Sequence, residues 1–181
     1  MSDIERFHVI TGGPGSGKST LIEALARRGH AHSIEAGRDI IQDQTAIGGP
    51  VLPGRDPLAF AELMLSWELR SYRVAQDESG PVFFDRGVPD MVGYFHLLGR
   101  PVPSHVTRPA ERFRYNRRVF LAPPWPEIFC QDAERKQTPE EARRTCEAMV
   151  SAYSSCGYLL VTLPLVSVEE RVRFVLAMIG A

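Results

Sequence analysis

The chain has 181 residues, 44% of them hydrophobic and 24% charged, with a formal net charge of -1 at pH 7. These proportions describe a globular chain long enough for one domain with a sizeable core, and they exclude attraction to nucleic acid or acidic membranes through net charge. No apolar run is long enough to span a bilayer, Met1 to Glu5 lacks the basic and apolar regions of a signal peptide, and the three cysteines (Cys130, Cys146, Cys156) form no C-x-x-C pair. A reducing cytoplasm is the compartment this cysteine usage implies, rather than a disulfide framework or a zinc site.

In chain order, Phe7 to Thr11 is a short β-branched stretch that reads as a buried strand. Gly12-Gly13-Pro14-Gly15-Ser16-Gly17-Lys18-Ser19-Thr20 then matches G-x-x-x-x-G-K-[ST], the P-loop or Walker A pattern. Glycines let the backbone turn tightly and bring several N–H groups to one phosphate. Lys18 supplies a mobile positive charge for the β- and γ-phosphates, Ser19 a hydroxyl suited to Mg²⁺, and the helix opening inside the motif its positive dipole end. Gly13, Pro14, Gly15, Ser16, Gly17, Lys18, Ser19 and Thr20 are therefore the nucleotide-binding candidates. Thr20 to Arg28 has apolar residues at helical spacing and stops at Gly29, so strand, glycine loop and helix follow in the order the motif requires.

His32 to Ala36 reads as a second strand, Arg38 to Thr45 as a helix and Gly48 to Gly54 as a loop. A long helix is predicted over about 57–77, with Leu58, Ala61, Leu65, Leu69 and Tyr72 on its apolar face. Pro81 to Gly87 is an apolar strand ending in Asp85 and Arg86, and a helix covers Pro89 to Leu98. After a proline-rich extended stretch, a short helix is expected near Pro109 to Tyr115, then a fourth strand over Arg118 to Ala122, stopped by Pro123-Pro124. Trp125 to Thr138 is polar and irregular. Pro139 to Ser155 is a helix, Tyr158 to Leu163 a fifth strand, and Ser167-x-x-Glu170 is a capping box opening a last helix to Ile179.

Alternating strands and helices, with several strands almost wholly apolar, indicate an α/β fold whose parallel sheet is covered on both faces. Right-handed crossovers then bring Gly12, Glu35, Asp85 and Pro123 to one edge of the sheet, where the active site belongs. At that edge Asp85 stands in the position of a Walker B acid, able to hold Mg²⁺ with Ser19 or to take a proton from an attacking hydroxyl. Arg86 can hold a substrate phosphate or pair with a carboxylate. Glu35 and Arg38 form E-x-x-R: Glu35 suits a sugar hydroxyl or the role of base, and Arg38 an anion. Arg112, Arg114, Arg117 and Arg118 form a basic cluster, mostly a solvated face with one or two members reaching a phosphate. Asp132-x-x-Arg135-Lys136 reads as part of a basic lid over about 124–138, with Arg135 as an arginine finger in cis. Trp67 and Trp125 are read as packing residues, and the five histidines, which lack ligand spacing, as structural.

Taken together, Gly12 to Thr20, Glu35-x-x-Arg38, Phe84-Asp85-Arg86-Gly87, Pro123-Pro124-Trp125, Asp132-x-x-Arg135 and Val168-Glu169-Glu170-Arg171 resemble the P-loop ATPase family of the AAA-domain type. That family is related to nicotinamide riboside kinase and to nucleoside and nucleotide kinases. The resemblance covers nearly the whole chain. It implies a three-layer P-loop NTPase fold with a five-stranded parallel sheet in the order 2-3-1-4-5, one kinase-like domain over 1–181 with a lid, and phosphoryl transfer from ATP with Mg²⁺. Lys18, Asp85 and Arg135 would be catalytic, Glu35, Arg38 and Arg86 would bind the acceptor, and the turn from Pro164 to Val168 would lie beside the adenine. No motif names the acceptor. An ATPase or nucleotide-dependent switch acting through a protein partner is the alternative, and a nucleic-acid kinase a third; the absence of N-K-x-D argues against guanine specificity, Asn116 being the only asparagine.

Overall fold

The computed structural model describes residues 2–129 and 137–180. Five strands, β1 (Phe7–Gly12), β2 (Ala31–His32), β3 (Val82–Asp85), β4 (Arg118–Ala122) and β5 (Leu159–Thr162), form one parallel sheet in the order β2-β3-β1-β4-β5. This is the order expected from the resemblance. The register sets Ile10 beside Asp85 and Gly12 beside Ala122, so the loops leaving β1, β3 and β4 share one edge.

After the single turn α1 (Asp3–Arg6), helices α2 (Lys18–Ala26), α3 (Ala36–Ala46), α4 (Pro57–Ala75), α5 (Val88–Leu97), α6 (Ser104–Arg112), α7 (Pro139–Ser155) and α8 (Val168–Ile179) connect the strands. Alternation along β1 divides the core. Phe7 and Val9 face a cluster with Phe84, Val119, Leu65 and Tyr72 of α4, Met91 and Phe95 of α5, and Tyr153 of α7. Ile10 faces the other cluster, with Phe83, Phe120, Leu21 and Leu25 of α2 and Val172 and Val175 of α8. All six residues of β1 are buried, as for a strand covered on both faces. A smaller group, Ala36, Ile40 and Phe60, ties α3 to α4.

The helix α7 and strand β4 occupy the predicted residues, and α8 opens on the predicted capping box at Ser167. Three elements differ. The second strand is Ala31–His32 rather than 32–36, because Glu35 is already the N-cap position of α3. Leu58 is exposed at the start of α4, whose buried face runs through Phe60, Ala61, Leu65, Glu68, Tyr72 and Ala75. Helix α6 begins at Ser104 and runs through Pro109, where the sequence had suggested a start. Its N-terminal half buries only Val106, so the periodic signal there is weak, and a proline in the second turn removes only one intrahelical donor.

Candidate functional site

The glycine loop is fixed by steric necessity at two points. Gly12 has φ 139°, and a Cβ there would collide with the carbonyl oxygen of Ala122. Gly17, at φ 78°, is the left-handed residue from which α2 springs at Lys18. Within the loop Ser16 Oγ donates to the Gly13 carbonyl at 2.8 Å, and Lys18 Nζ donates to the same oxygen at 2.7 Å and to Ser16 Oγ at 3.3 Å. Lys18 is thus buried against its own loop, its ammonium held by the Gly13 carbonyl and the Ser16 hydroxyl.

A cleft of about 590 Å³ opens over this loop. Residues 14–20 form one side, Trp125, Ile128 and Phe129 another, and Val166, Ser167, Val168 and Arg171 a third. Three residues of the turn expected beside an adenine therefore do border the loop's cleft. Arg171 is only 1% exposed; its Nε donates to the Pro164 carbonyl and its Nη1 to the Ser16 carbonyl, both at 2.8 Å. Its guanidinium lies 4.4 Å over the ring of Trp125, and burial lowers its pKa. Trp125 thus packs on Arg171 and is at the same time a wall of the cleft, whereas Trp67 packs against the α3–α4 cluster.

Asp85 ends β3 beside the loop. Its Oδ2 accepts from Ser19 Oγ at 3.2 Å, its backbone N–H donates to Ser33 Oγ at 3.1 Å, and its Oδ1 has no partner among the described residues. Burial, at 2% exposure, raises its pKa, opposed by the charges of Lys18 and Arg86 and by the Ser19 hydrogen bond.

The next residue carries the one non-glycine positive φ among the described residues: Arg86 stands at 76°. Such a backbone costs on the order of 1–3 kcal/mol, and the surroundings hold it in place. The Arg86 N–H donates to the Ile10 carbonyl at 3.1 Å. Its guanidinium reaches the Gly12 carbonyl and Asp90 Oδ1, each at 3.1 Å, and Glu35 Oε1 at 3.4 Å. Asp90, which closes the first turn of α5, accepts from Thr11 Oγ1 at 2.7 Å as well. Its other oxygen takes the Tyr153 hydroxyl at 2.6 Å and the Gly87 N–H at 2.9 Å. Glu35 and Arg86, far apart in sequence, are therefore brought into one partly buried ion-paired network.

That network lies against a second cavity of about 260 Å³, walled by Phe60 and Met64 of α4, Met91 and Tyr94 of α5, Ile41 of α3 and Met149 of α7. Glu35, Glu68 and Asp90 supply its acidic groups and Arg38 and Arg86 its basic ones. Pro14 and Arg38 border both cavities. Glu68 is 3% exposed, and burial together with the nearby Asp90 and Asp85 charges raises its pKa well above the usual carboxylate range.

The structure brings together Gly13 to Thr20, Asp85, Glu35, Arg38 and Arg86. Arg135, with Asp132 and Lys136 of the expected lid, lies outside the described residues. The basic cluster does not join the site: Arg118 starts β4 at the opposite end of the sheet, and Arg114 donates to the Ala110 and Cys156 carbonyls while stacking on Tyr158. Sequence reading missed Asp90 and Glu68. Asp90 could have been found as the N3 acid of a helix opening on Gly87-x-x-Asp90, and Glu68 as an acid in register with the apolar stripe Ala61, Leu65, Tyr72.

The AAA domain family model matches residues 7–171. The chain belongs to this family. Solved structures share the fold of this AAA domain at low identity. NadR in complex with NR matches at 18% identity and a TM-score of 0.73, covering 98% of this chain and 52% of that one. NadR with NAD and AMP-PNP matches at 18% and 0.67, covering 98% and 50%. Deoxyadenosine kinase from M. mycoides, with dCMP and dCDP bound as products, matches at 12% and 0.63, covering 96% of this chain and 98% of the kinase. This AAA domain spans about half the length of the NadR chains it matches. No curated protein matches the sequence. Among the described residues no helix is long and apolar enough to cross a membrane.

Proposed function

We propose that this AAA domain transfers a phosphoryl group from ATP to a small-molecule acceptor of the nucleoside, nucleotide or riboside class. The observation that carries the reading is the pair of adjoining cavities, one over the glycine loop and one beside Glu35 and Arg86, with Pro14 and Arg38 common to both. An acceptor-independent ATPase or switch needs the first cavity and has no use for the second. The similar structures, one with NR and another with dCMP and dCDP bound, agree with a two-substrate site in proteins of this fold.

In this reading the loop N–H groups and Lys18 bind the phosphates, and the base lies against Trp125 and the turn at 166–168. Asp85 and Ser19 fit a divalent ion: two oxygens lie 3.2 Å apart and a buried Oδ1 lacks a partner. One carboxylate and one hydroxyl suit Mg²⁺, which keeps water and phosphate ligands beside its few protein ones. Bound there, Mg²⁺ would neutralise phosphate charge. With Asp85 assigned to the metal, Glu35 is the base. It takes the acceptor's hydroxyl proton as the new O–P bond forms and the bond to the ADP oxygen breaks. Arg86 orients Glu35 and faces the acceptor, and Arg38 stands between the two substrates. Arg135 is assigned as the arginine finger on sequence grounds alone.

ADP release from ATP with Mg²⁺, alone and against nucleosides, nucleotides, ribosides and sugars, tests the proposal, with Lys18→Ala as the blank. Stimulation by one compound class supports it and names that class. Steady release unaltered by every compound overturns it in favour of an ATPase.

A further inference from the structure

The proposed function leaves one buried ionisable group without a role. Glu68 is set into the apolar face of α4, nine-tenths and more removed from solvent, and lines the second cavity beside Phe60 and Tyr94. Its Oε2 has no hydrogen-bond partner among the described residues. A buried carboxyl left without a partner costs several tenfold factors in stability relative to a paired one. Asp90, on the same cavity, has four donors shared between its two oxygens and can be explained as architecture. Glu68 has no such internal account.

Its surroundings limit what can complete it. The rings of Phe60 and Tyr94 lie 6.1 Å apart at 56°, and Met64, Met91 and Met149 join them in the wall, a lining suited to a flat ring. The volume of about 260 Å³ falls below the roughly 300–1,000 Å³ of drug-sized pockets, so one ring with its sugar is the scale of occupant. The charged groups facing Glu68 are Asp90 and Asp85, which disfavour a second negative charge, and Arg86, which is already engaged by Asp90 and Glu35. A carboxyl kept uncharged there offers one O–H donor and one C=O acceptor side by side. The matching edge is an N–H next to a C=O or ring nitrogen, as in a carboxamide or an aminopyrimidine. Of the cavity's two arginines, Arg86 is engaged by carboxylates and Arg38 stands where the cavity borders the glycine-loop cleft, so an anionic edge at Glu68 would meet the carboxyl groups of Glu68 and Asp90.

We propose that Glu68 is the specificity-determining residue of the acceptor pocket, reading the uncharged amide- or amidine-type edge of a planar ring whose sugar end lies toward Glu35 and Arg86. This rests on the acceptor-site reading above and adds to it the chemistry of the acceptor's far end.

The test is binding by calorimetry without ATP, using nicotinamide riboside, nicotinic acid riboside, cytidine, adenosine and ribose as probes on the full chain. The expected result is that at least one amide- or amine-edged probe binds tenfold or more tightly than ribose, and that nicotinic acid riboside is rejected relative to its amide by a similar factor. Glu68→Gln, which keeps a donor and an acceptor, should retain most of that affinity. Glu68→Leu should lose tenfold or more for the edged probes and leave ribose unaffected. ATP binding, read on every variant, reports that the loop half of the molecule is folded; should the leucine variant fail to fold, the glutamine variant and the amide–acid comparison decide. Equal binding of amide and acid, or affinity in Glu68→Leu equal to that of the parent, overturns the proposal, as does the absence of binding by every edged probe. ADP release on the same probes separates the two readings: Glu68-dependent binding without phosphorylation removes the kinase reading and leaves this one, whereas phosphorylation of ribose and edged probes alike does the reverse.

Discussion

Asp85 and Arg86 are neighbours with opposite demands on their surroundings. Burial makes the Asp85 charge costly, and Lys18, Arg86 and the Ser19 hydroxyl offset part of that cost. Asp85→Asn keeps an acceptor for Ser19 and removes the buried charge. The melting temperature should therefore hold or rise by about 2–4 °C, the equivalent of roughly 1 kcal/mol in a chain of this size. Phosphoryl transfer should fall on the order of 10²-fold or more, because a neutral amide holds a divalent ion poorly. Calorimetric melting beside an ADP-release assay reads both; transfer at the parental rate would remove Asp85 from the mechanism. Arg86 spends a strained φ to place one guanidinium on the Gly12 carbonyl, Asp90 and Glu35. Arg86→Lys keeps the charge and loses the fork. Its kcat/KM for the acceptor should drop about tenfold or more, with ATP affinity changed by no more than about threefold. Equal loss for both substrates would contradict its place on the acceptor side.

Among the elements, α7 connects stability to the nucleotide loop. Its start is a capping box, Glu141 N–H to Thr138 Oγ1 at 3.2 Å and Thr138 N–H to the Glu141 carboxylate at 2.7 Å. Its first turns then press the Ala142 carbonyl against Gly13, so closely that a Cβ on the glycine could not be accommodated. Thr138→Ala should cost about 1 kcal/mol, lowering the melting temperature by about 2–4 °C. Fraying of the first turn would loosen the support behind Gly13, so the ATP dissociation constant should rise measurably in the same variant; a stability loss with unchanged ATP binding would show that the loop stands without that support. The start of α7 was legible from Pro139 in its first turn, and so were the glycine loop and the end of β3, because each rests on local chemistry with a fixed spacing. Helix α6 was not, since only Val106 and Ala110 mark its buried side. Glu68 was not either: periodicity assigns a face to apolar residues and passes over an acid on that face, although Glu68 follows Leu65 by three and precedes Tyr72 by four. The pairing of Glu35 with Arg86 is a product of the crossover between β2 and β3 and has no local signature.

At the scale of the whole molecule the sheet separates two environments that titrate in opposite directions. Beside the second cavity the Glu68 pKa is raised, and at the end of β3 so is that of Asp85, so the folded chain holds protons there that the unfolded chain has released, and these groups make stability fall as pH rises above their ordinary range. Across β1, on the face covered by α2 and α8, His8 is 3% exposed, its Nδ1 has no partner among the described residues, and its ring lies 5.7 Å from that of Phe83. Burial first, and the Arg118 charge second, lower its pKa from 6.5 to about 4. The unfolded chain therefore takes up a proton before the folded one does. His8 contributes nothing above pH 6.5 and destabilises progressively as pH falls from 6.5 to about 4, reaching roughly 3 kcal/mol. Because the carboxyls oppose it over part of that window, the measurement is a difference: melting temperatures of the parent and of His8→Phe, which fills a similar volume without a titrating ring, taken from pH 7.5 to 4. The variant should gain on the parent by roughly 6–12 °C across the window, with the two curves parallel above pH 7. Parallel curves at every pH would mean that His8 reaches solvent and titrates normally, and that the α2–α8 face of the sheet is not sealed as the packing of Ile10, Phe83 and Phe120 requires.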